Sequence, residues 1–378
     1  MQFSFRLSEV LNHLPDPKRR PGTIKAICDY TGLDRHQVSA LLKNESKYVP
    51  LESLSKICDY LVEHGHCSAS DLPGILFAIE PENFWELLAR RRRLDLVLGV
   101  RVDESWPEGA WVVASDALLS GRLLNGVSTL GGTRKYRQSR ADGTEPPLHP
   151  EEFRQTLVWA PGQRPDEEVQ GRAHDVYQEF DTITGDKAIV GLGSMKANPL
   201  IELTVAAAFG ATPFKSQDKV KAPTDRSVPF YLRYRDDRKP HPDSCHGGLK
   251  LAARDARDFA GIYYEKADGS WACCRWDVDH GESALLFYNY REAQGRLEMV
   301  IGGFTGRGTR LIAKTLASQA DSFWPPTYQG HGMQLGAFVI DYSLKPREMK
   351  HHIPAPASSA GAKVIRVDEE VFVRRFGR

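Results

Sequence analysis

Two segments of the chain place glycine where an apolar, strand-like run gives way to a helix-like one. In KAIVGLGSMKANPLIELTVAAAFG, residues 187–210, Gly191 and Gly193 precede Ser194 and Asn198. In LEMVIGGFTGRGTRLIAKTLASQA, residues 297–320, Gly302, Gly303, Gly306 and Gly308 surround Thr305 and Thr309. Glycine lets backbone approach a ligand closely. The first turn of the following helix presents unpaired N–H groups and positive potential, which favour an anion such as phosphate. Ser194, Asn198, Thr305 and Thr309 can add donors, and Arg307 and Arg310 can add charge. The chemistry expected is binding of a phosphate-bearing small molecule, a nucleotide or dinucleotide effector. Neither turn is a full motif: GLGSMK is not G-x-G-x-x-G, and GFTGRGT lacks the P-loop lysine. Ordinary turn construction, which also favours glycine, stands beside the ligand reading.

Other reactive residues form weaker patterns. His241, Cys245 and His246 cluster, as do Cys273, Cys274, Asp277 and His280. The types suit zinc, but the spacings match no zinc pattern, so no metal is expected. His174, Asp175 and Glu179 could do acid–base work on one helix, although a helix face often carries such residues for solvation. There is no G-x-S-x-G, H-E-x-x-H or kinase set, and no catalytic residues are assigned.

The most informative segment is TIKAICDYTGLDRHQVSALLKN, Thr23 to Asn44. Two short helices that cross steeply need a small residue at their contact, a residue tolerant of positive φ in the turn, and apolar residues under the second helix. Cys28, Gly32, Val38 and Leu41 fill those places, Ile27 and Leu33 complete the apolar set, and Asp34 suits an N-cap. A preceding helix is expected over Phe3 to Leu14 and a following one from Pro50. Residues 21–63 resemble the λ-repressor-like (XRE-type) helix-turn-helix family through AICDYTGLDRHQVSALLKNES and VPLESLSKICDYL. Cys28 departs from the family's alanine but is small enough. The resemblance implies that the helix from Asp34 to Lys43 reads DNA. Arg35, His36, Gln37, Ser39 and Lys43 then face outward, with Asn44 at the end. Gln37 can bond adenine, Arg35 guanine, and Ser39 either. Thr23, Lys43 and Lys47 suit phosphates.

The rest must position these groups. PENFWELLARRRR reads as a helix opening at Pro81, with Arg90 to Arg93 either a solvated run or a grip on a DNA backbone. LDLVLGV and AWVVAS are strand-like, and DALLSGRLLNGVSTL is helical with Asp116 as its N-cap. Residues 131–163 read as a long loop, and 166–183 as a helix. Five strand-like runs follow between residues 228 and 304, and the chain closes with MQLGAFVIDYSL and KVIRVDEEVFVRRF as strands. The fold expected is an all-α helix-turn-helix N-terminal domain (1–70), a linker helix (71–93) and a larger α/β domain (94–378) with Rossmann-like strand-turn-helix units on an open parallel sheet.

The 378 residues carry 50 Lys+Arg against 49 Asp+Glu, which excludes a wholly basic nucleic-acid coat. Residues 1–65 are as balanced, nine Lys/Arg against eight Asp/Glu. One such unit binds DNA weakly, so a homodimer on paired half-sites is expected. No apolar run is long enough to span a membrane, Arg6 and Glu9 interrupt any signal-peptide core, and the six cysteines form no C-x-x-C pair. A cytoplasmic protein is expected. Three functions stay open. The first is a transcription regulator binding double-stranded DNA, with an α/β domain that senses a small-molecule effector. The second is a nucleotide- or NAD-processing enzyme tethered to DNA. The third is an interaction protein.

Overall fold

The computed structural model describes residues 3–11, 23–66, 69, 72, 76–102, 109–144, 150–183, 186–194, 196–214, 227–234, 259–330, 332–344, 349–350, 353–354 and 359–377. His241, Cys245, His246, Cys67, His351 and His352 lie outside them, as do residues 12–14 of the expected first helix. Among the described residues no helix is long and apolar enough to cross a membrane.

The N-terminal unit comprises β1 (Phe3–Phe5), α1 (Leu7–Val10), α2 (Thr23–Thr31), α3 (Arg35–Leu42), α4 (Leu51–Glu63) and β2 (Phe77–Ile79). Its core joins Ile27, Val38, Leu41, Ile57 and Leu61 to Leu7, Leu11 and Leu76. It is not all-helical. Phe3–Phe5 pairs antiparallel with Phe77–Ile79, and the Phe5 and Phe77 rings stand 5.5 Å apart. The Phe-Ser-Phe alternation suits a strand. Its partner lies beyond the whole helical unit, so no local window shows it.

The larger domain begins with α5 (Phe84–Ala89), which is no linker. All six residues are buried, and Asn83 rather than Pro81 caps it, accepting from the N–H groups of Trp85 and Glu86. Then come β3 (Arg93–Val102), β4 (Ala110–Val112), α6 (Ala114–Ser128), α7 (Arg134–Ala141), β5 (Glu152–Trp159), α8 (Asp166–Thr182), β6 (Lys187–Leu192) and α9 (Pro199–Ala208). Next are β7 (Phe230–Arg233), β8 (Gly261–Glu265), β9 (Trp271–Arg275), β10 (Gly281–Arg291), β11 (Arg296–Gly303) and α10 (Gly306–Gln319). The chain closes with β12 (Tyr328–Gly330), β13 (Met333–Leu344), the short pair β14 (Met349–Lys350) and β15 (Ile353–Pro354), β16 (Ser359–Arg366) and α11 (Glu369–Phe376). The expected loop at 131–163 thus contains a helix and a strand. The expected closing strand ends instead in a helix. Glu369 and Glu370 in its first turn and Arg374 and Arg375 in its last match the helix dipole.

Among the described residues nine strands form one mixed sheet, not an open parallel one. Its parallel part has the order β5-β3-β6-β11, with Leu98 opposite Leu192 and Val190 opposite Met299. Beyond β11 the sheet continues antiparallel through β10 and β13, which carries β12 and β16. Every residue of β6 is buried, as expected of a strand covered on both faces. One face packs Leu96, Val190 and Ile301 against Leu119 and Leu123 of α6 and Leu311 of α10. On the other, Val97 and Ile189 meet Phe180 of α8 and Leu200 of α9. Farther along that sheet, Phe287 and Val339 pack with Phe230 and Ile262 of the smaller β7-β8-β9 sheet and with Phe372 of α11. Along the parallel part, chain order reverses between β3 and β6. Such a reversal opens a crevice at the strands' carboxyl ends.

Candidate nucleic-acid interface and ligand site

The exposed face of α3 is held by its own first turn. Asp34 Oδ1 accepts from the His36 and Gln37 N–H groups at 2.7 and 2.9 Å, and Gln37 Oε1 accepts from Asp34 N–H at 3.2 Å. This is a reciprocal capping box. Arg35, His36, Gln37 and Lys43 are exposed, Ser39 is half-buried, and Val38, Leu41 and Leu42 anchor the opposite face. Gln37 therefore serves the cap through its oxygen. Thr23 opens α2, and Lys47 is exposed in the loop after α3. Asn44 has another task. It takes a positive φ of 58°, and its Oδ1 accepts from Phe5 N–H at 2.8 Å, tying the end of α3 to β1.

The α2–α3 turn depends on Gly32, at φ +70°. A Cβ there would meet nothing within 4 Å, so only the backbone conformation restricts the position. Gly32→Ala should lower stability by about 1–2 kcal/mol through left-handed strain alone. A urea midpoint unchanged from wild type would contradict this.

The arginine run after α5 is no phosphate grip. Arg90 pairs with Glu86 at 2.8 Å, Arg91 with Asp186 at 2.9 Å, Arg92 with Glu151 at 3.1 Å and Arg93 with Asp95 at 2.9 Å. Arg91 is buried, and Arg6 of the N-terminal unit shares its carboxylate partner. Asp186 Oδ1 accepts from both Arg91 and Arg6, Arg6 Nη2 lies 3.5 Å from Tyr290 OH, and Arg91 stacks over the Tyr290 ring.

The two glycine turns come together at the carboxyl ends of β6 and β11: a Cβ on Gly302 would lie 1.4 Å from Gly193 O. Their polar groups mostly serve the fold. Asn198 is fully buried, caps α9, and its Nδ2 donates to Val97 O on β3 and Leu192 O on β6 at 2.9 and 3.0 Å. It thereby bridges the carboxyl ends of β3 and β6. Gly191 packs on Ile201. Thr309 Oγ1 accepts from Gly303 N–H at 3.1 Å, while Gly303 and Gly308 let α10 press against β10 and β11. Thr305 caps α10 and donates to Glu282. Arg307 Nε also reaches Glu282, at 3.2 Å, and its other nitrogens hold Asp277 O, Val278 O and Gly281 O. At α10 the protein's own buried carboxylate thus takes the place expected for phosphate.

A second carboxylate faces the first turn. Asp116 lies inside the first turn of α6, not at its N-cap, which is Val113. It is 4% exposed. Its Oδ1 accepts from Ser115 Oγ at 3.1 Å. Its Oδ2 looks at Gly193, where a Cβ would lie 2.6 Å away. Gly193 is thus fixed both by its φ of +103° and by this carboxylate. Burial pushes the Asp116 carboxyl up to about 6, with Ser115 and the charge of Arg101 pulling the other way. Ser194, the residue after Gly193, is buried, and Gly306 at the start of α10 faces Ser115 Oγ. In sequence Asp116 has the look of a cap alone, since one acidic residue before an apolar helix carries no sign of burial.

The remaining candidates do not converge. Cys274 is buried and Cys273 half-buried on β9, and burial raises both thiols, Cys273 to about 11. Asp277 accepts from the Asp279 and His280 N–H groups within its own turn. His174 and Asp175 are exposed, and Glu179 pairs with Arg154. Among the described residues no three His, Cys, Asp or Glu side chains gather as a metal site would require.

The N-terminal geometry is that of a helix-turn-helix DNA-binding unit. Comparison with known families places it more closely: residues 18–71 match the family model of the Cro/C1-type HTH DNA-binding domain. No curated protein and no solved structure matches the chain.

Proposed function

We propose that the chain is a sequence-specific transcription regulator that binds double-stranded DNA as a homodimer and whose α/β domain senses a small nucleotide-like molecule. The observation that carries the DNA part is the Cro/C1-type domain with Arg35, His36 and Gln37 exposed on a capped α3. Near-neutral charge favours two half-sites and base contacts over bulk attraction. The sensing part is supported by the convergent glycine turns and by Asp116 at the β3/β6 reversal, where α/β sheets bind ligands. An effector acts as a switch only through different affinities for the DNA-bound and free forms.

Arg35→Ala should weaken specific DNA binding by roughly 1–3 kcal/mol and relax base preference at one position of each half-site. Gln37→Glu keeps the capping acceptor but adds negative charge toward DNA, so it should weaken binding more than Gln37→Ala. Titration of labelled duplex checks both. Unchanged affinity and specificity in Arg35→Ala and both Gln37 variants would show that α3 is not the reading helix. Asp116 also favours a second reading, a nucleotide-processing enzyme, because a buried carboxyl near 6 suits acid–base work. Product formed from a nucleoside phosphate by the full chain would support that reading.

A further inference from the structure

We infer that the outer edge of β5 pairs antiparallel with β5 of a second copy of this chain, joining two sheets across a two-fold axis. This rests on the homodimer reading and assigns its surface. Strand β5 ends the parallel part of the sheet, and among the described residues no strand pairs its outer side. Its backbone is set for one. Glu152 N–H donates to Arg92 O and Ala160 N–H to Val100 O, both at 2.8 Å. In the alternating parallel ladder between them, the even-numbered residues turn N–H and C=O toward β3. Phe153, Gln155 and Leu157 therefore turn theirs outward. The edge is also unguarded. EFRQTLVW contains no Lys, Pro or Gly, and its register with β3 runs from Glu152 to Trp159 without a bulge. Soluble proteins blunt an open edge with such devices, or pair it.

The side chains point to a second copy as the occupant. Phe153 and Leu157, opposite Leu94 and Leu98 of β3, lie on the α6 face of the sheet and are 50% and 46% exposed. No residue of α7, the helix between α6 and β5, is buried, so that helix leaves them open. A cavity of about 290 Å³, lined by Leu94, Leu124, Val127 and Phe153, opens between β5 and α6. On the other face Glu152 and Arg154 are exposed. An antiparallel pair centred on Phe153 sets the two Phe153 rings side by side. It also sets each Glu152 opposite Arg154 of the second copy, twice by symmetry. Arg93, which lies 3.8 Å from Glu152, and Glu179, which holds Arg154, extend this into a run of alternating charge. Centring on Arg154 would oppose two like charges, and centring on Gln155 would leave Glu152 against Val158. Charge thus selects both the partner and the register.

The test is sedimentation velocity of the full chain and of two single variants, Glu152→Arg and Arg154→Glu. Wild type is expected to be a dimer. Each variant alone sets like charges opposite one another, and its dimer dissociation constant should rise about 10- to 100-fold. An equimolar mixture of the two should dimerise again, because every arginine then meets a glutamate; misfolded variants would not recover in this way. Phe153→Cys should form a disulfide-linked dimer under mild oxidation, since the paired Cα atoms stand about 5.5 Å apart in this register. Gln155→Cys should not. A mixture that stays monomeric, or cross-linking of Gln155→Cys but not of Phe153→Cys, overturns the inference. Single variants that dimerise as well as wild type also overturn it, yet leave the homodimer reading standing with another interface. A monomeric wild-type chain overturns both, and leaves the edge to a strand of another protein.

Discussion

Asp186→Ala is expected to cost about 3–5 kcal/mol of stability, the price of removing one partner from a buried ion cluster. Arg6 and Arg91 are 2% and 1% exposed, and both guanidiniums reach the same carboxylate oxygen of Asp186. Without it two buried positive charges face each other, and Gly295 O and Tyr290 OH, which accept from Arg91 and Arg6, are neutral. Arg6 follows β1 and Asp186 precedes β6, so the cluster ties the start of the DNA-binding unit to the larger domain. Its loss should therefore also speed amide hydrogen exchange in β1 and β2 more than in β6 or β11. Asp186→Asn keeps one acceptor and should lose less. A loss below about 1 kcal/mol for Asp186→Ala in urea unfolding, with exchange unchanged in β1 and β2, would mean that the cluster does not hold the domains together.

The second large effect has the opposite sign. Asp116→Asn should raise stability at pH 7.5 by roughly 3 kcal/mol, and the gain should vanish near pH 4. Burial raises the folded-state carboxyl to about 6, whereas an unfolded aspartate titrates near 3.9. Between those values the folded state binds more protons than the unfolded one. Stability falls as pH rises through that window, and the full penalty is present above about pH 7. A gap of about two pH units corresponds to roughly 3 kcal/mol. Asparagine keeps the shape and can still accept from Ser115, but it has no charge to desolvate. Paired urea unfolding of wild type and variant checks this, since the other carboxylates cancel in the difference. A variant no more stable than wild type at pH 7.5 would contradict it. Residues that destabilise the fold while completing a site are the ones function retains.

Where local pattern decides structure, the sequence is an adequate guide. Gly32, Val38, Leu41 and Asp34 stand in the turn, core and cap positions that their types demand. β6 and α9 lie where an apolar run and an Asn-Pro start place them. Long-range partners were hidden. Phe3–Phe5 is a strand only because Phe77–Ile79 meets it. Arg91 reads as one member of a charge run, yet Asp186, 95 residues on, buries it. Thr305 and Arg307 look like anion ligands until Glu282, on another strand, occupies them. Asp116 is the clearest instance: its type is visible, but its burial arises only when α6 packs against the end of β6.

The central claim, sequence-specific DNA reading by a pair of Cro/C1-type domains, is tested most directly by selection of the full chain on randomised duplexes at physiological salt. The expected result is an inverted repeat with half-sites one helical turn apart, lost with Arg35→Ala. A bound pool with no enriched motif would contradict the account.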